Sequence, residues 1–409
     1  MHHDLQVSIA KELLRQLDED ENVDAGVQYR MPTNSYACPE LADKEWTSFF
    51  REHPQLIGLS GDLPEPGSFF TIDDFGIPVL ATRDKQGEFH AFLNACPHRG
   101  ARVANEQRGK RPVFVCPFHS WSFSPKGDLL AVPEMDHFGA IDKACHGLVA
   151  LPTIERDGLL WVHPQPDGKL NIDELLGPLA DELASHNIAR LSFAADKTID
   201  MRLNWKLAND TFGETYHFAK LHKDTLGQTF YGSNLAYEEM GQNHRFVTAR
   251  KSIDVLRDQP ESEWQLLEAA LVIYYLFPNI QLVVDDNRVT LVRIYPDKEN
   301  PGRSVTRINI YFDPEYIEKM DALADDLKIT AETVYDSDRL GKPLTPDAVL
   351  EVFSSTVEEE DYVMGEHQQK TAQSGLLSHS IFGRNEAPLH HFHNNFRSAL
   401  GMAPLERVE

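Results

Sequence analysis

Apolar positions recur at helical spacing at the start of the chain. Ile9, Leu13, Leu14 and Leu17 precede the acidic stretch DEDENVD and predict a helical arm over residues 1–44. The texture then changes. From 45 to 165, short β-rich runs (FFTIDDFGIPVLATRD, EFHAFLNAC, VFVCPF, LLWVHP) alternate with Gly, Pro and Asp turns, the pattern of a small all-β module built of hairpins. PQPDGKL reads as a linker, and DELLGPLADELASH returns to helix. Over 166–409 the pattern is mixed. LNWKLANDTFGETYHFAKLHK reads as helical. ALVIYYLFPNIQLVVDD, VTLVRIYPD and SVTRINIYF read as consecutive strands of an antiparallel sheet. TPDAVLEVFSSTVEEEDYVMGEHQQKTAQ reads as one long amphipathic helix. The predicted architecture is a β module followed by a larger α+β domain.

Composition narrows the function. The 409 residues carry 39 Lys and Arg against 64 Asp and Glu, a net charge of −25. Such a surface does not grip phosphate backbones or anionic lipid without a specific site. No apolar run approaches the length of a membrane span, and the first twenty residues lack a cationic-then-apolar leader pattern. These features predict a cytoplasmic protein that binds neither nucleic acid nor membrane. Only 4 cysteines occur, too few for a disulfide scaffold.

Two of those cysteines carry the first candidate site. Cys96 and His98 lie in NACPHRG, Cys116 and His119 in VCPFHSW. Each short, Pro-containing loop supplies one thiolate and one imidazole. Zinc and an iron–sulfur centre both accept that donor set. A [2Fe–2S] cluster with two cysteines on one iron and two histidines on the other needs the mixed supply. Cys38 and Cys145 have no such context and read as packing residues.

The second candidate site is NWKLANDTFGETYHFAKLH, with Glu214, His217 and His222. O₂-binding Fe(II) centres use two histidines and one carboxylate on one face. Five residues along an ideal helix turn through about 140°, so these histidines meet at one ion only if the helix is distorted or ends between them. Spacing by itself favours one packed and one surface histidine. A third ligand would come from VFSSTVEEEDYVMGEHQQ, where periodicity leaves Glu360 and Asp361 beside the apolar stripe Phe353, Val357, Met364, and turns Glu358 and Glu359 away. Asp210 reads equally as a residue behind the iron ligands or as a helix-start carboxylate.

The loops CPHRG and CPFHSWSFSPKGD, with Trp121 and Gly127, resemble the cluster loops of Rieske proteins, without the extra cysteines of the respiratory branch. The segment from Asn204-Trp205-Lys206 through Tyr216-His217 to His222 resembles the iron motif of Rieske non-haem iron oxygenase α subunits, the ring-hydroxylating family, and the likeness runs from about 45 to 400. It implies an N-terminal Rieske domain ahead of a helix-grip catalytic domain, an antiparallel sheet with helices. It implies a [2Fe–2S] cluster on Cys96, His98, Cys116 and His119, and a mononuclear Fe(II) on His217, His222 and Asp361. The family's usual bridging Asp is Glu214 here. It would join His217 to a cluster histidine, His119, of the next subunit in a head-to-tail ring of three, with or without a β subunit. Electrons would come from NAD(P)H through a reductase, with or without a ferredoxin. The activity implied is O₂-dependent hydroxylation of an aromatic or other hydrophobic small molecule, or oxidative N- or O-demethylation. A Rieske electron carrier is the weaker rival. The C-terminal His390, His391 and His393 are not read as ligands.

Overall fold

The computed structural model describes residues 1–334 and 342–408; residues 335–341 and 409 of the domain expected over 166–409 lie outside the described residues. The chain forms two compact units. One comprises Met1–Glu45, Asp173–His186 and Phe193–Glu409, the other Trp46–Ile172 and Asn187–Ser192.

The smaller unit is all-β, apart from short helical turns. A five-stranded antiparallel sheet runs in the order Ala150–Leu151, Phe89–Leu93, Val79–Arg83, Ser68–Ile72, Arg108–Lys110. A three-stranded sheet joins Thr153–Arg156, Leu159–Val162 and Gln55–Leu59, and another joins Phe114–Val115, Ser122–Phe123 and Leu129–Ala131. Their inward positions bury Phe69, Leu80, Phe92, Phe114 and Phe123, and the same core includes Cys96, Cys116 and Trp121. Gly127 is needed there. Its φ is +81°, and a Cβ would stand 2.4 Å from the Phe92 ring.

The larger unit is built on a seven-stranded sheet in the order Ser192–Met201, Ser304–Phe312, Arg288–Pro296, Ile280–Val284, Ala270–Leu276, Asn243–Ala249, Ala236–Met240. The five pairings from Ala236 to Phe312 are antiparallel. Their register sets Phe246, Ile273, Val283 and Thr290 in one row across four strands. Period-2 alternation puts that row on a single face.

Residues 1–44 are part of this unit. Helix His3–Glu19 buries Ile9, Ala10 and Leu13. The Gln16 side chain both donates to the Leu235 carbonyl (3.1 Å) and accepts from its N–H (2.9 Å). Strand Tyr29–Pro32 then pairs with His379–Phe382 and Glu406–Arg407, tying both ends of the chain together.

Two helical expectations change. The segment read as one helix from Leu203 is helical only over Trp205–Asp210. The long C-terminal helix is three pieces: helix Pro346–Ser355, a π-helical turn Thr356–Asp361, and helix Tyr362–Ser374. Both changes fall at the candidate site.

Candidate metal centre and cavity

Helix Trp205–Asp210 starts at Asn204, whose side chain accepts from Lys206 N–H at 2.9 Å. Its first turn is anchored by a buried charge pair. Lys206 Nζ lies 2.6 Å from Glu45 Oε1, with both side chains 1% exposed. Trp205 Nε1–H donates to Glu45 Oε2, also at 2.6 Å. After Asp210 the chain passes Leu389 at Gly213, where a Cβ would lie 2.3 Å from Leu389 Cδ2. It then folds into successive turns, with Leu221 N–H on His217 O (2.8 Å) and Thr225 N–H on His222 O (3.0 Å). Ending the helix before His217 removes the divergence that an ideal helix imposes.

The turns and the π-helical segment bring three donors together. Asp361 Oδ1 lies 3.0 Å from His222 Nε2 and 3.3 Å from His217 Nε2. One donor atom of each residue lies within 4.8 Å of the others. The outer nitrogens are held by two more carboxylates. His217 Nδ1–H donates to Glu214 Oε1 at 2.5 Å, and His222 Nδ1–H to Glu360 Oε2 at 2.8 Å. Glu360 also accepts from Thr225 Oγ1 at 3.1 Å. With Nδ1 protonated, each Nε2 lone pair points inward. His222 is fully buried. Nε2 of His217 is buried and makes no hydrogen bond. Burial alone would lower the His217 pKa, but the Asp361 and Glu214 carboxylates outweigh it and push it up to about 9. A proton thus sits where a cation fits. Two imidazole nitrogens, one of them the orphaned His217 Nε2, and one carboxylate oxygen match the donor set of a non-haem Fe(II).

The π-helical turn explains why adjacent acids serve the same site. Its wider turn puts successive side chains closer in angle than an α-helix does. Glu360 and Asp361 therefore reach the two ring nitrogens of His222, Nδ1 and Nε2. Glu358 pairs with Lys197 at 3.2 Å, and Glu359 is exposed. Glu360 as the residue orienting His222 is absent from the sequence reading. The signal for it is that a buried ligand histidine needs an acceptor on its second nitrogen.

Asp210 ends the helix rather than starting it, and among the described residues neither His217 nor His222 is its hydrogen-bond or ion-pair partner. Its carboxylate accepts from Tyr36 Oη (2.7 Å) and His393 Nε2 (2.8 Å), donors that a largely buried acid requires. The C-terminal histidines do not converge. His391 Nδ1 faces His244 Nδ1 at 3.0 Å, and His390 lies edge-on to Tyr29.

Triad residues line two cavities of the larger unit. One, of about 300 Å³, is walled by Phe212, Phe218, Phe230, Phe353 and the sheet row Phe246, Ile273, Val283, Thr290. The other, of about 770 Å³, approaches His217 and Asp361 past Glu214, Asp210 and Glu386.

In the smaller unit the two Cys/His loops share one backbone frame. Gly100 N–H donates to Cys96 O (2.8 Å), and Ser120 N–H to Cys116 O (3.0 Å). Cys96 N–H donates to Ala101 O and Cys116 N–H to Trp121 O, both at 2.8 Å. Gly100 and Ser120, each four residues after the cysteine, take positive φ. Both cysteines are buried, and the two imidazoles lie further out with ring centres 4.6 Å apart. Trp121 stacks on His98 at 5.1 Å. Burial and the adjacent Cys116 push the Cys96 thiol up. Paired buried thiols under paired imidazoles fit a [2Fe–2S] cluster of mixed ligation. The other cysteines differ from each other: Cys38 is half-buried, whereas Cys145 is exposed and donates to Asp142 at 3.3 Å. Cys145 is therefore not a packing residue.

The family model for the ring-hydroxylating alpha subunit (catalytic domain) matches residues 188–402, and that for the Rieske [2Fe–2S] domain matches 53–153. The chain belongs to the ring-hydroxylating alpha-subunit family. Its Rieske domain implies a [2Fe–2S] cluster, and its catalytic domain a mononuclear iron. The chain is 31% identical over 196 residues to the glycine betaine monooxygenase oxygenase subunit of Chromohalobacter salexigens, covering 47% of this chain and 43% of that protein. It is 27% identical over 202 residues to the anthranilate 1,2-dioxygenase large subunit of Acinetobacter baylyi, covering 47% and 42%. The chain thus spans about half the length of the curated relatives it matches. Among solved structures, a quaternary ammonium Rieske monooxygenase in complex with L-carnitine superposes with a TM-score of 0.71 at 19% identity, covering 92% of this chain and 96% of that one. Naphthalene 1,2-dioxygenase from Rhodococcus sp. bound to indole gives 0.69 at 16% identity, covering 96% and 98%. These likenesses show the fold.

Proposed function

We propose that the protein is the oxygenase component of a multicomponent Rieske non-haem iron oxygenase. The observation that carries this is the convergence of His217, His222 and Asp361 on one point beside an apolar cavity, in a chain that also carries the twin Cys/His loops. On this reading His217, His222 and Asp361 hold the iron, with Glu214 and Glu360 fixing the imidazoles. Cys96, His98, Cys116 and His119 hold the cluster. Iron of this kind supplies O₂ activation when the cluster feeds it electrons. The protein's own contribution is orientation and exclusion of water: the phenylalanines and sheet row leave the substrate a dry, shaped space.

The substrate class favoured by that wall is an aromatic or otherwise hydrophobic small molecule, hydroxylated once or twice. Oxidative demethylation of a small methylated substrate is the second reading, favoured because several relatives are named as glycine betaine and carnitine monooxygenases. The larger cavity beside Glu214 suits entry of a neighbouring copy's cluster loop, in a ring of three in which Glu214 meets His119 of the partner subunit. Electrons would arrive from NAD(P)H through a reductase, in the cytoplasm.

Metal content and product labelling test the proposal. Anaerobically loaded protein is expected to hold three irons per chain and a red-brown Rieske spectrum. With ¹⁸O₂ and a surrogate reductase it should place one or two labelled atoms in product. Two irons per chain, unchanged by His217→Ala, would reduce the protein to an electron carrier. Glu214→Gln should keep all three irons and slow turnover.

A further inference from the structure

The apolar cavity contains one charged cluster that the metal chemistry does not use. Arg250 follows strand Asn243–Ala249, and Asp285 and Arg288 flank the hairpin turn between Ile280–Val284 and Arg288–Pro296. All three line the same cavity as His217, His222 and Asp361. Arg250 Nη2 donates to Asp285 Oδ2 at 2.8 Å, and Arg288 Nη2 donates to the same oxygen. The other carboxylate oxygen, Oδ1, accepts from Asp286 N–H at 3.0 Å. The side chains of Arg250, Asp285 and Arg288 are only 19%, 11% and 27% exposed.

The charges do not balance. Two guanidinium groups share one carboxylate, leaving one net positive charge on the cluster, while the other acids of the wall, Glu214 and Asp361, are paired with the triad histidines. Among the described residues neither arginine has a second carboxylate partner. Each gives only Nη2 to Asp285, so one edge of each guanidinium, made of the second Nη2–H and one other nitrogen, keeps two N–H donors for a fork, although the Arg250 guanidinium also rests 5.1 Å from the Phe230 ring centre. A half-buried cation short of one anion is costly until an anion completes it. A planar guanidinium fork is matched by a carboxylate.

We infer that Arg250 and Arg288 form a carboxylate anchor in the substrate cavity, so that the substrate is a small monocarboxylate whose apolar body lies among the phenylalanines towards the metal triad. Asp285 holds both arginines in place and tunes the anchor to one negative charge. A dianion would be in excess, and a purely cationic ligand would be repelled. The inference rests on the proposed function only in taking this cavity as the substrate's.

Calorimetric titration of iron-loaded protein tests it, with benzoate, 3-phenylpropanoate and cyclohexanecarboxylate, the amide of each, and benzyltrimethylammonium as the cationic probe. A tight-binding carboxylate is expected to exceed its amide by about tenfold, or about 1.4 kcal/mol. Arg250→Gln and Arg288→Gln should collapse that ratio and leave amide binding unchanged, while Arg288→Lys retains part of it. Wild-type acid–amide parity, preference for the cation, or no saturable carboxylate binding at millimolar concentration would overturn the anchor. So would a ratio that survives in both Gln variants. If either Gln variant fails to fold, the wild-type ratio and the Lys variant decide. Metal analysis of the same preparations separates the two claims: missing mononuclear iron with acid–amide discrimination intact defeats the oxygenase reading alone, and full iron with parity defeats the anchor alone.

Discussion

Glu360 offers the sharpest test of the metal centre, because the two acids that precede it, Glu358 and Glu359, do not share its position. Its carboxylate takes the Nδ1–H of His222 at 2.8 Å and the Thr225 hydroxyl at 3.1 Å. Glu360→Ala removes an ionised acceptor from a fully buried imidazole. A hydrogen bond to a charged group contributes about 1.5–3 kcal/mol, and each 1.36 kcal/mol is about tenfold in an equilibrium constant. The expected loss in Fe(II) affinity is therefore about 10–100-fold, the range known for partners of metal-bound histidines. Glu360→Gln keeps a neutral acceptor and should lose only part of this. Glu359→Ala, from an exposed position, and Glu358→Ala, from the Lys197 pair, should leave affinity unchanged. The assay is chelator competition for Fe(II), with the visible spectrum of the Cys/His centre as internal reference. Wild-type affinity in Glu360→Ala, or an equal loss in Glu359→Ala, would refute the reasoning.

Three further outcomes follow from the packing. Glu45→Ala strands the buried Lys206 ammonium and should cost about 3–5 kcal/mol in urea unfolding, whereas the paired Glu45→Leu/Lys206→Met exchange should restore most of it. Equal losses in the single and double variants would contradict this. His244 is buried against His391, and burial holds its pKa well below the ordinary imidazole value of about 6.5. The unfolded chain therefore binds protons first as pH falls below about 6.5, so stability is full above that value and declines beneath it. His244→Asn should flatten the fall of the urea midpoint between neutral and mildly acidic pH. Gly213→Ala, driving a methyl into Leu389, should cost about 1–3 kcal/mol and weaken Fe(II) binding, read by thermal unfolding and chelator competition. A stable variant with normal iron affinity would show that Leu389 yields freely.

Much of this was legible in residue order. The strands over 270–312 follow from the apolar runs of 270–284 and the apolar positions alternating with polar ones over 288–312, and the small unit's hairpins from its turn residues. The Cys/His loops stood out because ligand pair and turn lie within a few residues of each other. What escaped depends on distant partners. Asp210 finds Tyr36 and His393, 174 and 183 positions away. No local pattern announces either. The apolar spacing that predicts a helix through His217 continues past Asp210, whereas the backbone leaves the helix there and packs at Gly213 against Leu389 of helix Ala387–Ala399. Residues 1–44 read as an arm because a single strand such as Tyr29–Pro32 shows its role only beside the two strands that flank it. Periodicity puts Glu360 and Asp361 at the edge of the apolar stripe, whereas it is the π-helical turn that brings both to His222.

The widened turn at Thr356–Asp361 amounts to one surplus residue accommodated within a continuous rod. Excising a single residue there would let ordinary winding resume while the helices on either side keep their register. Tyr362 would keep the Thr306 hydroxyl, and Gln369 the backbone of Asn204 and Tyr36. Only the acids inside the turn would lose their joint approach to His222, so the ion's grip would go while the scaffold around it stood. Length in this stretch is a harder constraint than identity: single replacements can adjust the centre by degrees, but loss of the surplus residue abolishes it.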